Sequence, residues 1–160
     1  MPGDEQSCVF CEIAAGTAGT RLVHEDPHTV AFFPLEPATL GHTLVVPRRH
    51  SADLWAMDDT TARHVMRAVL RVGRALRSVL APDGMNVVSS AGEAATQTVF
   101  HTHVHLVPRR AGDAMGRLWP AAGAGFRFAD DAAADALAAR VADAARGASE
   151  GEDDKREVGQ

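Results

Sequence analysis

Residues 100–108 read Phe-His-Thr-His-Val-His-Leu-Val-Pro, which puts His101, His103 and His105 at every second position. In an extended strand, side chains at i, i+2 and i+4 share one face. The three imidazoles then line up roughly 6–7 Å apart, while Val104 and Leu106 turn the other way, toward a core. Imidazole has an unperturbed pKa near neutrality and can act as base, nucleophile or metal ligand. The chain has eight histidines, so three within five residues is a concentration that asks for a reason. Three readings compete. One is a polar strand face that happens to be rich in histidine. A second is a metal site, since His-x-His on a strand suits zinc or iron with a further His or carboxylate ligand. The third is nucleophilic catalysis, one imidazole attacking while its neighbours tune it. Spacing alone leaves the last two open.

The rest of the chain narrows the setting. A length of 160 residues suits one domain with a sizeable core, and 46% hydrophobic content with a net charge of −5 suits a soluble globular protein. That acidity argues against non-specific nucleic-acid binding, which needs a basic surface. No apolar run approaches the roughly 20 residues that span a membrane. The start, Met1 to Ser7, is polar and acidic, unlike a signal peptide. Two cysteines are too few for a disulfide framework. A cytoplasmic location is the expectation.

In chain order, Cys8-Val9-Phe10-Cys11 opens a short helix to about Ala15, ended by Gly16. The Cys-x-x-Cys pair suits half a zinc site, a redox pair or two ordinary thiols; the redox reading lacks a neighbouring βαβ pattern. Residues 21–25 and 29–33 are β-rich runs around Asp26-Pro27-His28, a hairpin. His24, His28 and His64 read as surface residues. Residues 34–41 form a turn-rich loop, because Pro34 and Pro37 cannot donate to a ladder. Residues 42–47 form a strand followed by the basic turn Arg48-Arg49-His50. Asp58 or Asp59 caps a helix to about Leu80, with Val65, Met66, Val69, Leu70, Gly73, Leu76 and Leu80 as its apolar stripe. Residues 85–89 form a strand. The small, polar loop 90–99 that follows can bring backbone N–H groups close to an anion and leads into the histidine strand. Residues 131–146 read as an Ala-rich helix ended by Gly147. Residues 148–160 are charged and nearly without apolar content, the composition of a disordered acidic tail. Strands outnumber helices without strict alternation, which points to an α+β fold with a mostly antiparallel sheet.

The string 101–107 resembles the His-x-His-x-His-x-x signature of the histidine triad (HIT) nucleotide hydrolases and transferases. Cys8-x-x-Cys11, the block from Gly41 to His50 and the block from Gly92 to Phe100 resemble the family in order and spacing, so the likeness spans roughly residues 8–110. It implies a five-stranded antiparallel sheet flanked by helices, over a domain of residues 1–127 with a helical extension at 128–147. It also implies a homodimer paired through the long helix and one sheet edge. By the same resemblance His103 is the nucleophile. One ring nitrogen attacks the α-phosphorus of a nucleotide, and the other donates to the His101 carbonyl. A nucleotidyl-imidazole forms, water or another acceptor resolves it, and two inversions give net retention at phosphorus. His105 and His42 surround the phosphate. Gln97, Thr98 and the Val99 backbone N–H contact phosphate oxygens or the leaving group. Phe10, Phe32 and Leu35 wall the base and ribose, although each also has a core reading, for Phe10 an equal one. Some bacterial relatives hold a structural zinc through positions matching Cys8, Cys11, His50 and His101, a closed tetrahedral set with no position for substrate.

This chain departs from the family pattern in places. Pro34 stands where an aspartate commonly grips the ribose hydroxyls, and Glu36 is the nearest replacement carboxylate. Ser90 replaces a common asparagine, and Thr96 replaces a glycine beside the phosphate. Simple adenosine phosphoramidates are therefore expected to be poor substrates, since a site lacking a hydrogen-bond partner discriminates against ligands that need one. Trp119 is a packing residue or a reach into the partner subunit's site. A non-catalytic nucleotide-binding dimer and a metal-dependent hydrolase, with all three histidines on one ion, stand as alternatives.

Overall fold

The computed structural model describes the backbone of residues 8–157 and the side chains of residues 8–148. Residues 1–7 of the expected domain and 158–160 of the expected tail lie outside the described residues. The elements are α1 (Val9–Ala15), β1 (Arg21–Glu25), β2 (Thr29–Phe33), β3 (Thr43–Pro47), α2 (Asp59–Leu80), β4 (Gly84–Val88), β5 (Val104–Arg109) and α3 (Asp131–Glu157). The five strands make one antiparallel sheet in the order β1-β2-β3-β5-β4. The α+β class with a five-stranded antiparallel sheet is the fold that the sequence implies.

Alternation along the strands sorts their side chains into two layers. Ala31, Val45, Val104 and Leu106 pack against Val65, Ala68, Val69, Val72 and Leu76 of α2. Val30, Phe32, Leu44 and Val46 turn the other way and pack against Phe10 and Ala14 of α1. Strands β2 and β3 are thus buried on both faces, the reason their sequences run apolar without a break. His103 and His105 alternate with Val104 and Leu106, so both lie on the α1 side. The site is consequently built between the sheet and α1, with α2 supporting from behind.

Local chemistry sets the boundaries. Asp58 caps α2, its side chain accepting from the Thr61 N–H at 2.8 Å. The buried stripe of α2 is rotated from the expected one: Ala68 and Val72 are buried, while Met66 and Leu70 remain about half exposed. Strand β5 starts at Val104 and not at Phe100, because the Thr102 N–H turns to the Ser51 carbonyl at 2.7 Å instead of a strand neighbour. In the hairpin turn, His28 is exposed as expected and stacks on half-buried His64 of α2, ring centroids 3.6 Å apart.

The first compact unit ends at Gly116, earlier than the expected boundary at 127, and Arg117 onward forms a second. Within the second unit Asp130 accepts from the Ala133 N–H at 2.8 Å and opens α3. That helix continues past Gly147, where it was expected to stop, to Glu157. Of the stretch expected as a disordered tail at 148–160, residues 148–157 have a helical backbone. A single glycine costs a helix only about 1 kcal/mol, too little to end an Ala-rich run. Trp119 lies in this unit and is largely exposed. No helix among the described residues is long and apolar enough to cross a membrane.

Gly41 joins the loop to the end of α2. Its φ is +82°, and a Cβ there would collide with Leu80 Cδ1. Gly41→Ala should destabilise the protein by about 1–3 kcal/mol and lower Tm in thermal unfolding. An unchanged Tm would contradict this packing.

Candidate active site and metal centre

Backbone groups fix the hydrogen positions of the histidines. His103 Nδ1 lies 2.7 Å from the His101 carbonyl oxygen. A carbonyl only accepts, so Nδ1 carries the hydrogen and a neutral ring keeps its lone pair on Nε2. The Ala38 N–H donates to His42 Nδ1 at 3.0 Å, which leaves the hydrogen of His42 on Nε2. That nitrogen is 2.9 Å from His105 Nδ1, so His105 accepts there and carries its own hydrogen on Nε2. One lone pair on His103 thus stands beside one N–H on His105, the two rings 4.9 Å apart between centroids.

The neutral state has a physical cause. Burial lowers the pKa of His103, with the bond to the His101 carbonyl working in the opposite direction. Burial also lowers His42. His105 is lowered to about 4 by burial and by the charge that a protonated His103 or His42 would bring. All three shifts favour the uncharged ring.

Serines and threonines hold the segment beneath the rings. Ser89 Oγ donates to the His103 carbonyl at 2.9 Å, and Ser51 Oγ pairs with Thr102 Oγ1 at 2.8 Å. Neither Ser89, Ser51 nor the Ala38 N–H stands out in the sequence, and only the neighbourhood of Ser90 and His50 hints at the serines. Gln97 is 3% exposed and its amide is used within the chain. Its Oε1 accepts from the Gly92 N–H, and its Nε2 donates to the Ala52 and Val99 carbonyls. The amide expected to meet phosphate braces the loop through these bonds. Thr96 has φ +67°, a left-handed conformation that a β-branched residue adopts at a cost of about 1–3 kcal/mol.

The remaining expected residues scatter. Phe10 and Phe32 lie in the core, 8% and 1% exposed, and Phe10 sets its ring edge-on to His103 with centroids 5.2 Å apart. Val99 is half-buried and packs against the same core cluster. Ser90 is half-buried, Thr98 exposed. Leu35 is 92% exposed. Glu36 is exposed and makes no hydrogen bond or ion pair to any described residue.

At the start of α1, the ligand atoms of Cys8, Cys11, His50 and His101 lie within 4.8 Å of one another. Cys8 Sγ is 3.4 Å from His101 Nδ1, Cys11 Sγ is 3.3 Å from His50 Nδ1 and 3.4 Å from His101 Nδ1. A tetrahedral zinc with bonds near 2.3 Å to sulfur and 2.0–2.1 Å to nitrogen has S···N edges of about 3.5 Å, so donor types and spacing both fit. His101 Nε2–H donates to the Pro47 carbonyl at 2.8 Å, which keeps Nδ1 unprotonated and aimed at the cluster. This geometry separates His101, which serves the cluster, from His103 and His105, which do not. The reading with all three histidines on one ion loses its basis.

A five-stranded antiparallel sheet with a lone-pair imidazole just ahead of one strand, flanked by two further histidines, defines the histidine-triad class. The family model described as the HIT domain matches residues 15–112, and the chain belongs to that family. Protein hit of Bacillus subtilis is 39% identical over 115 residues, covering 71% of this chain and 79% of the relative. The crystal structure of a HIT family protein from Bacillus anthracis superposes with TM-score 0.77 at 33% identity, covering 86% of this chain and 96% of that one. A Zn-bound histidine triad family protein from Mycobacterium smegmatis is 40% identical with TM-score 0.65, covering 74% and 86% of the two chains.

Two outcomes follow from this geometry. Thr96→Gly removes the left-handed strain and should stabilise the protein by about 1 kcal/mol, read as a higher Tm; a lower Tm would contradict it. His105 has a folded pKa near 4 against an unfolded value near 6.5. Between these values the unfolded chain binds more protons, so stability rises with pH through this window and is fully present above it. Chemical denaturation from pH 7 to pH 4 should show the loss on acidification, less steeply in His105→Gln.

Proposed function

We propose that this protein is a nucleotidyl hydrolase or transferase that attacks the α-phosphate of a nucleotide conjugate through His103. HIT family proteins bind nucleotides, and the observation that carries the finer reading is the 2.7 Å bond from His103 Nδ1–H to the His101 carbonyl. It leaves Nε2 as the nucleophile. In the first displacement the Nε2 lone pair forms a bond to phosphorus while the bond to the leaving group breaks, its electron pair departing with that group. The ring becomes an imidazolium whose Nδ1–H rests on the His101 oxygen. His105 Nε2–H donates to a phosphate oxygen, and His42 fixes His105 in that tautomer. Water or another acceptor then attacks phosphorus and loses its proton to solvent, the N–P bond breaks and its electrons return to Nε2. Splitting one displacement into two lowers each barrier, and donors aimed at developing charge supply much of the rest.

The same reading includes a structural zinc on Cys8, Cys11, His50 and His101, bound apart from the displacement. The two thiols, not joined in a disulfide, suit the reducing cytoplasm. It also includes a homodimer, with no nucleic-acid or membrane partner. Strand β4 is a sheet edge and Val87 on it is 53% exposed. Met66 and Leu70 are 52% and 49% exposed, at helical spacing from Gly73, which faces Met85 of β4. Together they offer an apolar surface for a second copy. On the nucleotide side, Glu36 is the one carboxylate near the position of Pro34 along the chain, and we assign it the ribose hydroxyls.

A panel of nucleoside 5′-phosphoramidates, dinucleoside polyphosphates and nucleotide sugars tests the chemistry. Wild type should turn over at least one class and accumulate a nucleotide adduct on His103 after acid-free quenching. His103→Ala should lose turnover by about 10⁴-fold or more while still binding nucleotide. Turnover retained in His103→Ala would overturn the mechanism, and binding without turnover across the panel would favour the scaffold reading. Glu36→Ala should weaken ribonucleotide binding relative to 2′-deoxynucleotide; equal affinities before and after would remove that assignment.

A further inference from the structure

The metal-ligand cluster and the attacking imidazole share a residue. His101 presents Nδ1 to the two cysteines, donates Nε2–H to the Pro47 carbonyl, and offers its own main-chain oxygen to His103 Nδ1. A second path runs through Phe10, which lies between the two cysteines in sequence. Its ring is edge-on to both histidines, with centroids 6.0 Å from His101 and 5.2 Å from His103. Whatever holds Cys8 and Cys11 on His101 therefore holds Phe10 and the His101 carbonyl on His103. A staple between α1 and the sheet would need neither path.

The exposure of these groups is uneven. His101 is 0% exposed, whereas His50 and both cysteines are half-buried and the cysteines are not disulfide-bonded, so a small solute reaches the cluster through these three residues before His101. We propose that Cys8 and Cys11 form a redox control on His103: a peroxide-class oxidant joins the two sulfurs, the ligand set loses both thiolates, and the ring that attacks phosphorus loses its fixed position. The regulated reaction rests on the function proposed above; the coupling itself rests on geometry alone.

The chemistry balances. One thiolate displaces hydroxide from the peroxide O–O bond and becomes a sulfenic acid. The second thiolate attacks that sulfur, forming the S–S bond and expelling another hydroxide, and two protons from solvent turn both hydroxides into water. The two sulfurs together lose the two electrons that the O–O bond gains. Cys8 is the extended N-cap of α1 and Cys11 lies in its first turn, so the sulfurs, about 3.8 Å apart on a tetrahedral zinc, close to about 2.05 Å in a disulfide. That movement falls on the turn that carries Phe10. His50 and His101 alone are half of a tetrahedral zinc set.

The test uses the zinc-loaded full chain, reduced or treated with hydrogen peroxide. Zinc release is followed with a chromophoric chelator, the Cys8–Cys11 bond by mass spectrometry, and hydrogen–deuterium exchange over residues 100–106 against α2 and β4. Turnover of a nucleoside 5′-phosphoramidate is measured in parallel. The expected result is one zinc released per disulfide, faster exchange confined to 100–106 and α1, and kcat lower by about tenfold or more with KM changed less. Reductant plus zinc should reverse all three. Zinc release with unchanged exchange at 100–106 would overturn the proposal, as would a disulfide formed with zinc retained. Faster exchange throughout the sheet would also overturn it, since the cluster would then be a fold staple. A localised, reversible exchange response in a protein without turnover would support the coupling while sinking the proposed chemistry, so the two failures are distinguishable.

Discussion

One hydrogen bond organises this molecule's chemistry: His103 Nδ1–H to the carbonyl of His101, two residues back along the same segment. An unconstrained imidazole divides its hydrogen between two nitrogens and is partly protonated near neutrality. Here an acceptor that cannot reciprocate settles which nitrogen is bare, and burial keeps the ring uncharged. His42 and His105 obey the same logic, with the Ala38 N–H at the head of the relay. Three side chains thus receive defined roles from two backbone groups, at little cost in side-chain entropy.

The fold exists to hold that bond still. Alternation on β5 sends Val104 and Leu106 into the α2 layer and leaves His103 and His105 on the α1 side. Ser89 grips the His103 carbonyl, Ser51 grips Thr102, and Gln97 closes the loop between them. Gly41 lets the end of α2 sit against the loop that carries His42. Strain at Thr96 is tolerated beside this framework because Gln97, its neighbour, is fully bonded.

Much of the fold was legible because its signals are local. Asp58 and the apolar stripe of α2, the Asp-Pro turn between β1 and β2, and the unbroken apolar run of β3 each specify an element without reference to distant residues. What was not legible depends on pairs far apart in sequence. The start of β5 is set by Ser51, and the job of Gln97 is set by Ala52, neither of which a local pattern exposes. Rotation of the α2 stripe toward Ala68 and Val72 reflects which side chains meet the sheet, not the period itself. The histidine spacing foretold a shared face yet left nucleophile and metal ligand undivided. Only the positions of Pro47 and the two cysteines separate His101 from His103.

The most direct measurement is the nitrogen NMR spectrum of histidine-labelled protein, with His103 assigned through His103→Ala. The hydrogen-bond pattern predicts that neutral His103 carries its hydrogen on Nδ1 with Nε2 bare, and burial favours that neutral ring at pH 7. Hydrogen on Nε2, or an imidazolium at pH 7, would contradict the central claim.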